Sequence, residues 1–71
     1  MIKMNNNEIT ATKFYTIEEI AELLKVSYLT VFRWIQAGKL SAYKVGKGYR
    51  IEVSDLMSFL EKSKKYKGSN L

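Results

Sequence analysis

The sequence predicts a mostly α-helical domain with one small β-hairpin, in the order helix, helix, hairpin, helix. Two segments with helical spacing of apolar residues follow each other closely, an alternating segment comes next, and a third helical segment closes the pattern. A chain of 71 residues suffices for one small domain. We expect a flexible N-terminal arm at residues 1–13, the domain at residues 14–63 and a flexible basic tail at residues 64–71.

The first helix is predicted at about residues 17–24. Thr16 and Glu19 have the spacing of a capping box, in which the hydroxyl accepts the Glu19 N–H and the carboxylate accepts the Thr16 N–H. Apolar residues then recur at three- and four-residue spacing, and acidic residues occupy most of the other face. Because acids repel phosphates, we expect this helix to have a structural role.

The second helix is predicted to begin after its N-cap, Ser27, and to end at Gly38, since Gly favours the left-handed conformation that often ends a helix. Two capped helices joined by so short a link predict a helix-turn-helix. Lys25 stands where such turns usually have Gly, at a cost of about 1 kcal/mol if φ is positive. Either the turn differs from the usual one or its strain is tolerated.

The two faces of the second helix have different predicted roles. Val31, Trp34 and Ile35 share the face that packs on the first helix. The other face carries Arg33 and an exposed Leu29, which is typical of a helix whose side chains meet base edges and thymine methyl groups. Phe32 lies between the faces, where it serves either the rim of the core or a backbone contact. The pattern makes the following residues of this helix candidates for DNA contact: Tyr28, Leu29, Thr30, Phe32, Arg33 and Gln36.

After Ser41 the apolar residues alternate with polar ones, as in a β-hairpin. A turn centred on Lys47 would place Lys44 opposite Arg50. Two like charges directly opposite each other are unfavourable unless an anion such as a phosphate lies between them. The hairpin is therefore a candidate wing that contacts the DNA backbone through Lys44, Lys47, Gly48 and Arg50.

The third helix is predicted to begin at Ser54 as N-cap, with Asp55 in the first turn, where an acid suits the helix dipole. We expect its apolar residues to close the core against the first two helices. These residues are Leu56, Met57, Phe59 and Leu60.

Composition excludes several classes of function. The chain has no Cys and no His, so it has no zinc-finger ligands, thiol nucleophile or triad histidine, and we expect no catalytic site, no metal site and no cofactor. It has no long apolar run, so we expect no membrane span and a cytoplasmic, nucleoid-associated protein.

The net charge of +5 is concentrated in residues 27–51, which hold no acid. A segment of one sign attracts polyanions, because each neutralised phosphate releases a condensed counterion. Charge alone fits a solvated basic surface equally well. The five basic residues of the segment are Arg33, Lys39, Lys44, Lys47 and Arg50.

The run T-V-F-R-W-I, followed by G-K-L and then Y-R-I, resembles the excisionase-family DNA-binding domains, which are small MerR-like winged helix-turn-helix proteins of phages, plasmids and integrative elements. The resemblance covers about residues 15–61. It implies that the wing contacts the flanking backbone or the minor groove and that the second helix enters the major groove of double-stranded DNA. The residues that would then face the groove are Ser27, Tyr28, Leu29, Thr30 and Arg33. Full MerR regulators continue into a dimerisation helix and an effector domain, so we expect no small-molecule effector here.

Three functions are compatible with a small winged helix-turn-helix domain of this kind. The first is a recombination directionality factor, of which several copies bind adjacent sites, bend the DNA and help an integrase excise a mobile element. The second is a small element-encoded transcriptional regulator that uses the same surface. The third is a protein-interaction adaptor, against which the acid-free segment 27–51 argues. An enzyme is the least expected class, because no nucleophile is paired with a base.

Overall fold

The computed structural model describes residues 13–65 and contains three helices and three strands in that range. This confirms the predicted winged helix-turn-helix fold. The expected arm and tail fall mostly outside the described residues, and the boundaries of arm, domain and tail stay predictions. No helix in residues 13–65 is long and apolar enough to cross a membrane. In chain order the elements are β1 (Phe14–Tyr15), α1 (Ile17–Leu24), α2 (Tyr28–Gln36), β2 (Tyr43–Val45), β3 (Gly48–Glu52) and α3 (Val53–Ser63).

The sheet has three strands in the order β1, β3, β2, whereas the sequence predicted only the two strands of the hairpin. Strand β1 pairs antiparallel with β3, so that Phe14 faces Glu52 and Tyr15 faces Ile51. The Val53 N–H extends this pairing with a bond of 3.1 Å to the carbonyl oxygen of the residue before β1. The pairing ties the start of the domain to the wing and brings the start of α1 beside β3.

The predicted register of the hairpin is wrong by one residue. The turn consists of Gly46 and Lys47, and Gly46 takes a φ of +59°. A two-residue turn with Gly at the first central position suits the twist of a hairpin better than a turn centred on Lys47. Because side chains alternate between the faces of a sheet, Lys44 and Arg50 lie on opposite faces and do not oppose each other. The facing pairs are Tyr43 with Arg50, Lys44 with Tyr49, and Val45 with Gly48.

The core lies between the three helices and the inner face of the sheet. Ile20 of α1 and Val31 of α2 are both 0% exposed, so the two helices bury their apolar faces against each other as predicted. Trp34 and Ile35 are half-buried and pack against the same core. The Trp34 ring lies 4.6 Å from the Phe59 ring of α3. The buried core residues are Ile17, Ile20, Ala21, Val31, Leu40, Ile51 and Leu56.

The caps of the first two helices are confirmed. The Glu19 N–H donates to Thr16 Oγ1 at 3.1 Å, and the Thr16 N–H donates to Glu19 Oε1 at 2.8 Å. At the start of α2, Ser27 Oγ accepts the Thr30 N–H at 3.1 Å. After α2, Gly38 has a φ of +77°, the left-handed conformation that its sequence position predicted. These local bonds set the ends of both helices.

The prediction that Ser54 caps α3 is wrong. The N-cap is Glu52, which makes no side-chain capping bond, and Ser54 lies inside the helix. Strand β3 continues directly into α3, so the pairing of Glu52 with Phe14 sets the start of the helix. Met57 is 61% exposed and does not belong to the core stripe, unlike Leu56.

The turn between α1 and α2 is left-handed at Lys25, with φ 58° and ψ 47°. The turn is therefore the usual one and its strain is tolerated. Lys25→Gly is expected to raise the free energy of unfolding by about 0.5–1 kcal/mol, because Gly removes a Cβ penalty that exceeds its own entropic disadvantage. Urea unfolding measures the change. Lys39→Gly is the matched control, since Lys39 has no positive φ. If Lys25→Gly raised the free energy of unfolding no more than the control does, Lys25 would not be strained.

Candidate nucleic-acid interface

The start of α2 presents two large side chains to solvent. Tyr28 is 47% exposed and Leu29 is 49% exposed. Ser27 is also exposed, but its Oγ already accepts the Thr30 N–H and lies 2.9 Å from Thr30 Oγ1. Thr30 itself is half-buried. Of the predicted group at this end, Tyr28 and Leu29 are thus placed to meet a partner, and Ser27 and Thr30 mainly hold the helix start.

A stripe of exposed residues runs along α2 from Leu29 through Arg33 to Gln36. Side chains three and four residues apart lie above one another on one face of a helix, so these three share one line of the surface. Val31 occupies the opposite, buried side. The helix therefore presents an apolar, a cationic and an amide side chain in sequence, which is a suitable set for reading base edges.

Phe32 lies within a row of aromatic rings that connects α2 to the wing. Its ring centroid lies 6.4 Å from that of Tyr28, with the planes 19° apart, and 5.9 Å from that of Tyr49. Lys44 Nζ lies 4.9 Å from the centroid of the Tyr49 ring, within range of a cation–π interaction. Phe32 is half-buried and packs against the core. This row holds the inner face of the wing against the helix.

The remaining wing residues lie at its turn and on its second strand. Lys47 is exposed in the turn, and Gly48 and Arg50 are half-buried. Arg50 Nη1 donates to the Tyr49 carbonyl oxygen at 2.9 Å. A Cβ at position 48 would lie 3.4 Å from Arg50 Nη1, an ordinary van der Waals contact, so the guanidinium lies against Gly48.

A cleft of about 330 Å³ joins the start of α2 to the wing. It brings together Tyr28, Lys47 and Arg50, which were predicted as site residues from separate parts of the chain. It also includes the start of α1, a helix for which the sequence predicts only a structural role. No short motif signals that proximity, because it depends on the pairing of β1 with β3. The lining residues are Thr16, Ile17, Glu18, Tyr28, Lys47, Gly48, Tyr49 and Arg50.

The outer face of the sheet carries exposed apolar side chains. Phe14, Tyr43 and Val45 are 40%, 54% and 49% exposed, and the rings of Phe14 and Tyr43 meet edge to face at 6.0 Å. The Tyr43 hydroxyl donates to Glu52 Oε1 at 3.4 Å, and the charge of Glu52 raises the pKa of Tyr43 above its usual value. This face therefore combines exposed aromatic and aliphatic side chains with one carboxylate. Residues 13–65 contain no cluster of acidic residues that could hold a metal ion.

Comparisons with known proteins bear on this surface. Residues 14–64 match a family described as the helix-turn-helix domain. Protein YvgK of Bacillus subtilis is 52% identical over 48 residues, which are 68% of this chain but 16% of that protein. A protein of Mycobacterium tuberculosis that is named for DNA binding, Rv0500A, is 36% identical over 52 residues, covering 73% of this chain and 67% of that protein.

A third relative is the magnetosome protein MamR of Magnetospirillum gryphiswaldense. It is 35% identical over 60 residues, covering 84% of this chain and 71% of that protein. The chain thus spans most of two relatives and about one sixth of the length of YvgK. No solved structure gives a significant match.

Proposed function

Because this chain belongs to the helix-turn-helix domain family, we propose that it binds double-stranded DNA in a sequence-specific manner. Helix α2 lies in the major groove and the wing follows the flanking backbone. The observation that carries the proposal is the exposed stripe Leu29, Arg33 and Gln36 beside a basic wing. The M. tuberculosis relative named for DNA binding supports it.

In this proposal each group of site residues has a distinct role. Arg33 and Gln36 make hydrogen bonds to base edges, and Leu29 packs on a thymine methyl group. Tyr28 meets the sugar–phosphate backbone, which positions the helix without reading sequence. The wing residues that meet the same backbone are Lys47, Gly48 and Arg50. The remaining predicted site residues hold the contacting residues in position. They are Ser27 and Thr30 at the helix cap, and Phe32 and Lys44 in the aromatic row.

The wing supplies most of the electrostatic affinity in this proposal. Replacing Lys47 and Arg50 together by Gln is expected to reduce the slope of log Kd against log salt by up to about 1.8, since each lost phosphate contact removes about 0.9. Fluorescence anisotropy with a labelled duplex over a range of salt concentrations measures the slope. Lys62 and Lys64 lie at the end of α3 and do not line the cleft. Replacing both by Gln removes the same charge and should change the slope much less. Equal changes in the slope for the two double variants would contradict a specific contact between the wing and the DNA.

The biological role that we propose is that of a recombination directionality factor of the excisionase type. Several copies would bind neighbouring sites, bend the DNA and assist an integrase. The likeness of T-V-F-R-W-I and Y-R-I to excisionase-family domains supports this role, and the limited contact area of so small a domain favours several copies. A small transcriptional regulator acting through the same surface is the alternative.

Selection of bound duplexes from a random pool, followed by footprinting, tests these proposals. A shared sequence among the selected duplexes would support specific binding. Protected direct repeats, together with bent DNA in a circular-permutation gel assay, would favour the directionality factor. A single unbent site, or an inverted repeat, would favour the regulator. Recovery of duplexes without a common sequence would contradict specific recognition.

A further inference from the structure

The cleft between α1 and the wing contains an acid among cations. Glu18 lines it together with Lys47 and Arg50. The neighbouring Glu19 has its carboxylate engaged in the capping box, where it accepts the Thr16 N–H at 2.8 Å. Glu18 is exposed and takes no part in that box. Glu18 lies in the first turn of α1, where an acid suits the helix dipole, and its side chain is left available to act on the cleft as well.

We propose that the cleft binds one phosphodiester group of the DNA backbone and that Glu18 weakens this binding. The inference rests on the proposed function and adds a residue of α1 to the interface. The ligand contacts are the Lys47 ammonium, the Arg50 guanidinium and the Tyr28 hydroxyl, which are the donor groups that phosphates accept from. Glu18 competes with the phosphate for Lys47 and Arg50, and its carboxylate repels a phosphate in the same cleft.

This arrangement limits the affinity of the wing for any DNA sequence. Non-specific binding is almost wholly electrostatic, so an acid beside a phosphate site lowers it directly. A lower non-specific affinity leaves more of the protein available for its own site among many competing sequences. Glu18 thus adjusts the strength of a contact that carries no sequence information.

The test is the binding of a fluorescent duplex of random sequence by full-length Glu18→Gln. The variant is expected to bind about two- to fivefold more tightly, the range that exposed charge interactions produce. The titration is done at about 0.1 M salt, where the screening length is about 10 Å and distant charges contribute little. Glu22→Gln is the matched control, because Glu22 is an exposed acid of the same helix and does not line the cleft.

A second variant and a double-mutant cycle complete the test. Glu18→Ser should give the same gain as Glu18→Gln, and a gain in affinity cannot arise from loss of the fold. The gain should disappear when Lys47 and Arg50 are already replaced by Gln. A gain equal to that of Glu22→Gln, a gain that persists in the double-Gln background, or weaker binding by both Glu18 variants would overturn the inference. If the unaltered protein bound no DNA, the proposed function itself would fail instead.

Discussion

Arg33→Ala is expected to weaken binding to the selected duplex by about 1–3 kcal/mol, the usual loss when a base-reading arginine is removed. Arg33 is exposed on the stripe of α2 that runs from Leu29 to Gln36. If α2 lies in the major groove as proposed, a guanidinium in the middle of that stripe has the donors for two hydrogen bonds to the O6 and N7 atoms of a guanine. Titration of the selected duplex and of a scrambled duplex with the variant measures both affinities.

The matched control is Arg33→Lys, which keeps the charge but lacks the planar pair of donors. We expect it to lose most of the preference for the selected duplex while it keeps more affinity for the scrambled one, because a lysine cannot make the same bidentate contact. If Arg33→Ala weakened binding to both duplexes equally, Arg33 would be a phosphate contact and would not read sequence.

Ile20→Ala is expected to lower the free energy of unfolding by about 2–5 kcal/mol, the usual result of truncating a fully buried Ile. Ile20 is 0% exposed and lies in the core that α1 shares with α2 and the sheet. A small domain has only a few kcal/mol of net stability, so most of the variant should be unfolded at 25 °C and bind DNA poorly. Thermal and urea unfolding followed by circular dichroism measure the loss.

Leu23→Ala is the control for this change. Leu23 lies on the same helix, but it is 57% exposed, so its truncation should alter the free energy of unfolding by only about 0.5 kcal/mol. Similar losses for the two variants would mean that α1 does not pack through the face that the structure shows.

The parts of the fold that depend on neighbouring residues could be predicted from the sequence. The capping box of Thr16 and Glu19, the Ser27 cap and the left-handed Gly38 are all determined within a few residues of the chain. The positive φ of Lys25 is likewise expected, because Lys25 stands where such turns usually have Gly. Local hydrogen bonding and backbone sterics determine each of these features.

The parts of the fold that depend on pairing between distant residues could not be predicted from the sequence. Strand β1 has two residues, too few to show a period of two, and its partner lies more than thirty residues later. The same pairing decides that α3 begins after Glu52 and not at Ser54. In the hairpin, two turn lengths fitted the G-K-G sequence, and the choice between them reverses which face each wing residue occupies.

The same division applies to the candidate site. The helical period places Leu29, Arg33 and Gln36 on one exposed line, as the structure also has them. Lys44 and Arg50 do not face each other in the hairpin, so their charges give no reason to expect a phosphate between them. Lys44 instead lies over the Tyr49 ring. The cleft at Glu18 depends on tertiary contacts alone, so no spacing in the sequence indicates it.

The claim that α2 reads DNA sequence is tested most directly by the ratio of the affinities for the selected duplex and for a scrambled duplex of the same composition. Both are measured at the same physiological salt concentration, because the electrostatic part of binding depends on salt. We expect the selected duplex to be bound about a thousandfold more tightly or better, and Arg33→Ala to remove much of this preference. Equal affinities for the two duplexes would contradict that claim.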